Sequence, residues 1–374
     1  MLRTAVLVVG GGPAGATAAR FLADAGIDAI IAERDISYIK PCGGGIPSGG
    51  VREFDLPEEI IKRKIYKIVI VSPKNRRIEI QLKSGHICIT ERGALDATLR
   101  RIAMEKGASL IEGEFCGFDK DNGTYISSVR KKNDELLKIR SDYIIASDGI
   151  TFGVGRKCGM QKPEFLYTIS THLRPFSADA CEFWFGTAHA SNFYSWLFPS
   201  DGTASVGTGS CNPVQLHTLL NNFLRRRFDF GTGDLSDICS IERPRVFPIP
   251  AWRGKPLAFG NILFLGDAAA TAMPVTYEGI YYAMKSGQFA ALAIRNKKPA
   301  LYPKLWDDRF GRRFSVMNKF KDRFFRNDES IERWVGIHRS PAVQELALKL
   351  WLQKESGPRQ LADYLKAFGS LAFP

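Results

Sequence analysis

At 374 residues the chain is too long for one small module, and at roughly 150 residues per domain it predicts two or three lobes. Its 45% apolar, 24% charged and 11% aromatic residues exclude wholesale disorder and supply a core. The 52 Lys and Arg against 39 Asp and Glu leave a net charge of +13, so the surface attracts anions: nucleic acid, anionic lipid headgroups or a phosphorylated substrate.

The chain opens with Ala5–Val9, an apolar β-branched run that reads as a strand rather than a signal peptide, because a glycine cluster follows it and no small-residue cleavage site does. Gly10-Gly11-Gly12-Pro13-Ala14-Gly15 leads into Ala16–Ala25, apolar at helical spacing. In this strand, glycine turn and helix, Gly10 permits the tight turn. Gly12 lets backbone approach a pyrophosphate, and Gly15 lets helix and strand pack closely. A second strand, Ala29–Ala32, ends at Glu33, about 20 positions after the first glycine, where a carboxylate accepts from a ribose hydroxyl. Gly10, Gly12, Ala14, Gly15, Glu33 and the adjoining Arg34 are the expected contacts of a bound dinucleotide.

Further along, Asp142–Ala146 is a buried strand ending in Ser147-Asp148-Gly149. Asn261–Leu265 is another, running into Gly266-Asp267 and followed by a helix that opens at Glu278-Gly279-Ile280. No second glycine fingerprint follows, so a separate second dinucleotide-binding domain is not expected. Tyr194, Trp196 and Phe198 alternate and fall on one face of a strand; the pattern suits an ordinary aromatic core or a dry cation-stabilising site. From Arg309 to Arg326, Phe310, Phe314, Met317, Lys321 and Phe324 recur at helical spacing among basic residues, either as an interfacial membrane helix or as a helix packed on its own protein.

Seven cysteines (Cys42, Cys88, Cys116, Cys158, Cys181, Cys211 and Cys239) lie singly without C-x-x-C spacing, which predicts a reduced, cytoplasmic protein. The histidines are isolated, no metal site is assigned, and no apolar run reaches membrane-span length.

The 261–280 and 142–149 segments resemble the second and middle FAD motifs of p-hydroxybenzoate hydroxylase-like flavoproteins. Lys40-Pro41-Cys42-Gly43-Gly44-Gly45-Ile46-Pro47, Phe193–Pro199 with Gly207 and Gly209, and Glu278–Ala283 together resemble the geranylgeranyl reductases, most of all the chlorophyll and bacteriochlorophyll branch. The resemblance implies FAD, NADPH or reduced ferredoxin as donor, and a prenyl diphosphate, pigment or lipid as substrate. It matches Arg92 to an FAD-contacting arginine, Cys42 with Gly43 to the cysteine near the flavin, Asp267 to the residue holding the ribityl chain, and Gly279 and Ile280 to the helix start facing the ring. Cys42, Tyr194 and Trp196 are the expected catalytic residues, and Tyr194, Trp196, Phe198 and Tyr277 the expected prenyl contacts.

The sequence departs from that pattern at Phe152, where the family usually has serine, and at Ala270 and Tyr277, where glycine is common.

The expected architecture is α/β (α+β). A Rossmann-like FAD-binding domain of the p-hydroxybenzoate hydroxylase type covers 1–75, 88–160 and 258–300; an inserted antiparallel-sheet substrate domain covers 76–87 and 161–257; a helical C-terminal tail covers 301–374. A flavin-dependent aromatic hydroxylase or halogenase, and a flavin-binding protein without turnover, are the rival functions. The charge excess then fits a ferredoxin-like donor, a diphosphate or peripheral membrane contact better than nucleic acid.

Overall fold

The computed structural model describes residues 1–228, 240–252, 254 and 258–354; Cys239 and residues 355–374 lie outside the described residues. The chain forms two compact units, one from 1–39, 93–165 and 249–315, the other from 40–92, 166–248 and 316–374.

The first unit is built on a sheet in which Leu2–Val9 pairs in parallel with Ala29–Glu33 on one side and Leu136–Ala146 on the other. Ser109–Asp121 extends the sheet beyond Ala29–Glu33, and Ile262–Phe264 extends it beyond Leu136–Ala146, again in parallel. The strands read as unbroken apolar runs because both faces are covered. Val6, Val8, Ile31, Ile145 and Leu263 point to helices Pro13–Asp24 and Ile280–Arg295. Leu7, Val9, Ile30, Ile144 and Phe264 point the other way, toward Phe118, Tyr125 and Val129. The two helices pack closely because Gly287 lies where a Cβ would stand 2.4 Å from the Ala14 carbonyl oxygen.

The second unit centres on a mostly antiparallel sheet whose strands Phe165–Arg174, Ala204–Ser210, Ser195–Pro199, Cys181–Trp184, Lys67–Val71 and Arg77–Gln81 lie side by side in that order. Leu197, Val206 and Ile169 on one face meet Leu220, Phe223 and Leu224 of helix Leu216–Phe228. Residues 40–75 and 88–92 join this unit, not the dinucleotide-binding unit expected for them. The physical reason is a parallel pairing of Lys67–Val71 with Cys181–Trp184, more than a hundred positions apart, and a small sheet of Gly45–Pro47, Ile87–Thr90 and Ile61–Ile65. From 301 to 351 the chain is helical, as expected. No helix among the described residues is long and apolar enough to cross a membrane.

Candidate FAD site and aromatic site

Within the first unit, Val9 pairs Ala146 and Ala146 pairs Phe264, so three parallel strands end in one row and the segments expected to hold a dinucleotide emerge side by side. This is the carboxyl edge of the sheet, where such folds bind ligands. Gly10 has φ +98°, and a Cβ on it would stand 2.4 Å from the Ser147 carbonyl oxygen. The Ser147 hydroxyl donates back to the Val9 and Gly10 carbonyls, each at 2.9 Å, locking the two strand ends together. A Cβ on Gly15 would stand 2.0 Å from the Gly10 carbonyl oxygen, so this glycine is required by packing alone.

Gly12 differs, since it precedes helix Pro13–Asp24 with no side-chain cap and a Cβ there would meet nothing within 4 Å. Gly279 precedes helix Ile280–Arg295 in the same way, uncapped and open. Two uncapped helix starts with room in front of their N–H groups fit a phosphate-bearing cofactor. Asp148 adds to the fit: its Oδ2 accepts from the Val154 amide at 3.1 Å, while Oδ1 is buried and accepts no hydrogen bond. Burial pushes its carboxyl above the ordinary aspartate range, with the Val154 and Gly153 amides pulling the other way.

The remaining expected cofactor contacts fall around this edge. Glu33 accepts from the Gly11 amide at 2.6 Å and the Asp35 amide at 3.1 Å, which leaves lone pairs on both oxygens for a hydroxyl donor. The Ala14 side chain is buried in the contact between the two helices, so any bond to a cofactor comes from its backbone. Arg34 is exposed. Asp267 lies in the short turn Gly266–Ala269 at the end of Ile262–Phe264, and Ile280 is buried at the start of its helix. Arg92, buried at the start of helix Arg92–Glu105, belongs with the second unit.

The departures from the family pattern have structural explanations. Phe152 turns its ring into the first unit's core, against Phe264 at 6.0 Å and over Gly155, where a Cβ would be 2.2 Å from the ring. Ala270 and Tyr277 both have φ +52°, so the backbone keeps a glycine-like turn without the glycines.

In the second unit, Trp196 and Phe198 share one face of Ser195–Pro199, and Tyr194 immediately precedes that strand. Trp196 lies directly across from Phe183 on one neighbouring strand and Gly207 on the other. A Cβ on Gly207 would be 2.3 Å from Trp196 Cζ2, so only glycine lets the indole lie flat on the sheet. Phe183 contacts Tyr194 at 5.4 Å, Phe198 at 5.2 Å and Trp351 at 6.0 Å between ring centroids. The expected aromatic face thus forms.

Cys42 reaches the same neighbourhood. A Cβ on Gly43 would be 2.7 Å from the Phe198 ring and 3.4 Å from Trp196 Nε1. The loop is pinned where the Thr90 amide donates to the Gly44 carbonyl at 2.9 Å, and the Cys42 Sγ is half-buried, accepting from the Gly44 amide at 3.4 Å. The Lys40 Nζ lies 4.5 Å above the Phe247 ring.

Sequence reasoning missed Arg100, a buried cation under the glycine turn that donates to the Gly11 and Ile36 carbonyls at 3.4 and 2.8 Å. Its clue was its spacing: Arg92, Asp96 and Arg100 recur every fourth residue along helix Arg92–Glu105. Along 309–326 the structure takes the packed alternative. Phe310, Phe314 and Phe324 are buried, and Arg312, Lys319, Arg323 and Arg326 are exposed.

Residues 3–219 match the family described as FAD binding domain. The chain is 30% identical to the geranylgeranyl diphosphate reductase of a Synechocystis species, over 98% of this chain and 97% of that protein. It is 28% identical to the digeranylgeranylglycerophospholipid reductase of Methanocella arvoryzae, over 78% and 77% respectively. Among solved structures, a geranylgeranyl bacteriochlorophyll reductase-like protein from Thermoplasma acidophilum superposes with a TM-score of 0.83 at 25% identity, covering 99% of this chain and 97% of that one. A flavin-dependent brominase shares the fold at 17% identity with a TM-score of 0.78, covering 98% of each chain. With both FAD motifs at one sheet edge and this similarity along nearly its whole length, the chain belongs to the geranylgeranyl reductase family of FAD-dependent oxidoreductases.

Proposed function

We propose that this protein reduces isolated double bonds in a geranylgeranyl chain, carried as the diphosphate or on a pigment or lipid. The observation that carries the reading is the likeness to reductases of such chains over almost the full length. FAD would be held by Gly12, Glu33, Asp267 and Gly279 of the first unit. Reduced FAD supplies a hydride.

An isolated trisubstituted alkene is a poor hydride acceptor, so a proton must reach one carbon as hydride reaches the other, and the tertiary carbon gains positive character between. The indole of Trp196 and the ring of Tyr194, both largely shielded from water, offer negative ring faces worth roughly 1–2 kcal/mol to such a cation. Cys42, on its pinned loop beside these rings, holds the proton or positions the alkene. Phe198 lines the prenyl chain.

The donor is NADPH or a reduced ferredoxin. Contact with an anionic membrane, where it occurs, is electrostatic and salt-sensitive, because the apolar side of the basic helix is packed inward.

The test is anaerobic reduction of the FAD-loaded protein, followed by mass spectrometry with geranylgeranyl diphosphate, a geranylgeranylated pigment and an archaeal-type ether lipid. A gain of two hydrogens per reduced bond in one of them supports the reading. Flavin that stays reduced with all three sinks it.

A further inference from the structure

Behind the aromatic face, on the side of the sheet covered by helix Leu216–Phe228, lies a cluster of polar groups that the proposed chemistry does not use. His189, Ser195 and Thr208 are 1%, 0% and 0% exposed. The His189 Nδ1 is 2.8 Å from the Ser195 Oγ. The Ser195 Oγ is 2.9 Å from the Thr208 Oγ1 and, less closely, 3.2 Å from the His189 carbonyl oxygen, which lies 2.5 Å from the Thr208 Oγ1.

The proton positions follow from counting donors. Each hydroxyl has one hydrogen, and Thr208 spends its own on the His189 carbonyl at the shortest of these distances. The His189 Nε2 is buried and has no hydrogen-bond partner. A proton on Nε2 would therefore be a buried, unsatisfied donor, whereas a bare lone pair there is less costly. The proton belongs on Nδ1. His189 Nδ1–H then donates to Ser195, Ser195 donates to Thr208, and Thr208 donates to the His189 carbonyl, which closes a ring with every donor satisfied. Burial, with the nearby Arg226 charge, pushes the imidazole down to about 4 and keeps it neutral.

The ring sits at a particular place in the sheet. Ser195 stands between Tyr194 and Trp196, and Thr208 between Gly207 and Gly209, the two glycines on which the Trp196 and Phe193 rings rest. Because side chains alternate along a strand, the polar ring grips one face at the very residues that display aromatic rings on the other. We infer that His189, Ser195 and Thr208 form a clamp that sets the position of Trp196 and Tyr194, and so are positioning residues for prenyl reduction. The inference rests on the proposed function.

Two pairs of variants test it in the full-length, FAD-loaded protein. Thr208→Val and His189→Leu each remove one link, while Thr208→Ser and His189→Asn keep a hydroxyl or an N–H in place. The readouts are kcat and KM with the accepted prenyl substrate, and the fluorine NMR line of 5-fluorotryptophan at position 196, assigned by its loss in Trp196→Phe. The clamp predicts a kcat at least tenfold lower with KM changed less than twofold in Thr208→Val and His189→Leu, together with a shifted or broadened Trp196 line. It predicts near wild-type behaviour in the conservative partners. An unchanged kcat or an unchanged Trp196 line in either apolar variant that folds overturns it. If wild-type protein reduces no prenyl substrate, the proposed function fails, and the fluorine line alone decides the clamp.

Discussion

Gly12 and Gly15 stand three positions apart in one motif, yet only Gly15 is closely packed, and on the proposed function alanine at each separates cofactor binding from folding. At Gly15 the new Cβ would be 2.0 Å from the Gly10 carbonyl oxygen, 2.4 Å from Ser147 Oγ and 3.0 Å from a Val8 methyl. Backbone on one side and a buried strand on the other leave no easy relief, so the substitution costs at least the ~1–3 kcal/mol of overpacking. At Gly12 nothing lies within 4 Å and φ is −72°, which alanine adopts freely. Alanine is a poorer helix cap than glycine by about 0.5–1 kcal/mol. It also restricts the unfolded chain, worth about 0.4–1 kcal/mol in the other direction, so the two effects nearly cancel.

A pyrophosphate resting against the Gly12 backbone meets the new methyl, however, and gives up one or two charge-assisted bonds worth about 1.5–3 kcal/mol each. That is roughly tenfold to ten-thousandfold in Kd. The assay is a thermal melt of the apoprotein beside an FAD titration followed by flavin fluorescence. Gly12→Ala should melt with the wild type and bind FAD at least roughly tenfold more weakly, and Gly15→Ala should melt several degrees lower. FAD binding by Gly12→Ala within threefold of wild type would refute the placement of the pyrophosphate.

Three further outcomes follow from the geometry. Glu182 is 4% exposed, with its oxygens 2.7 Å from Arg227 Nη2 and Nε and 2.6 Å from Trp184 Nε1. Glu182→Gln leaves the guanidinium uncompensated and should cost about 3–5 kcal/mol in a denaturant midpoint series. Gly207→Ala should displace the Trp196 indole by about an ångström and lower turnover roughly a hundredfold, with FAD content unchanged by absorbance. His189 titrates near 6.5 when unfolded and at about 4 when folded, and burial lowers His338 as well. Between those values the unfolded chain binds the proton and the folded one does not, so stability falls as pH drops from about 6.5 to 4, by up to roughly 3 kcal/mol for His189. His189→Asn should flatten that slope; an unaltered slope would show that the acid sensitivity lies elsewhere.

Much of the first unit was legible because its signals are local. Strand, glycine turn, helix and acidic strand end lie within 33 residues, and each later strand runs straight into its own loop motif. Local signals say little about partners. Nothing in residues 40–92 announces that Lys67–Val71 pairs with Cys181–Trp184, so a segment adjoining the cofactor motif in sequence joins the other unit. The alternation at 194–198 was visible, but its meaning was not, since an aromatic core strand reads the same way.

What distinguishes this strand is what lies on its two faces. Gly207 and Gly209 give up side chains so that Trp196 and Phe193 can lie on the sheet, and a core gains nothing from that exchange unless the rings must be held at a set place. Ser195 and Thr208, buried polar residues where leucine or valine would pack against helix Leu216–Phe228 without any hydrogen-bond requirement, tell the same story from the other side. A strand that only filled a core would need neither the paired glycines nor the ring of hydrogen bonds behind them.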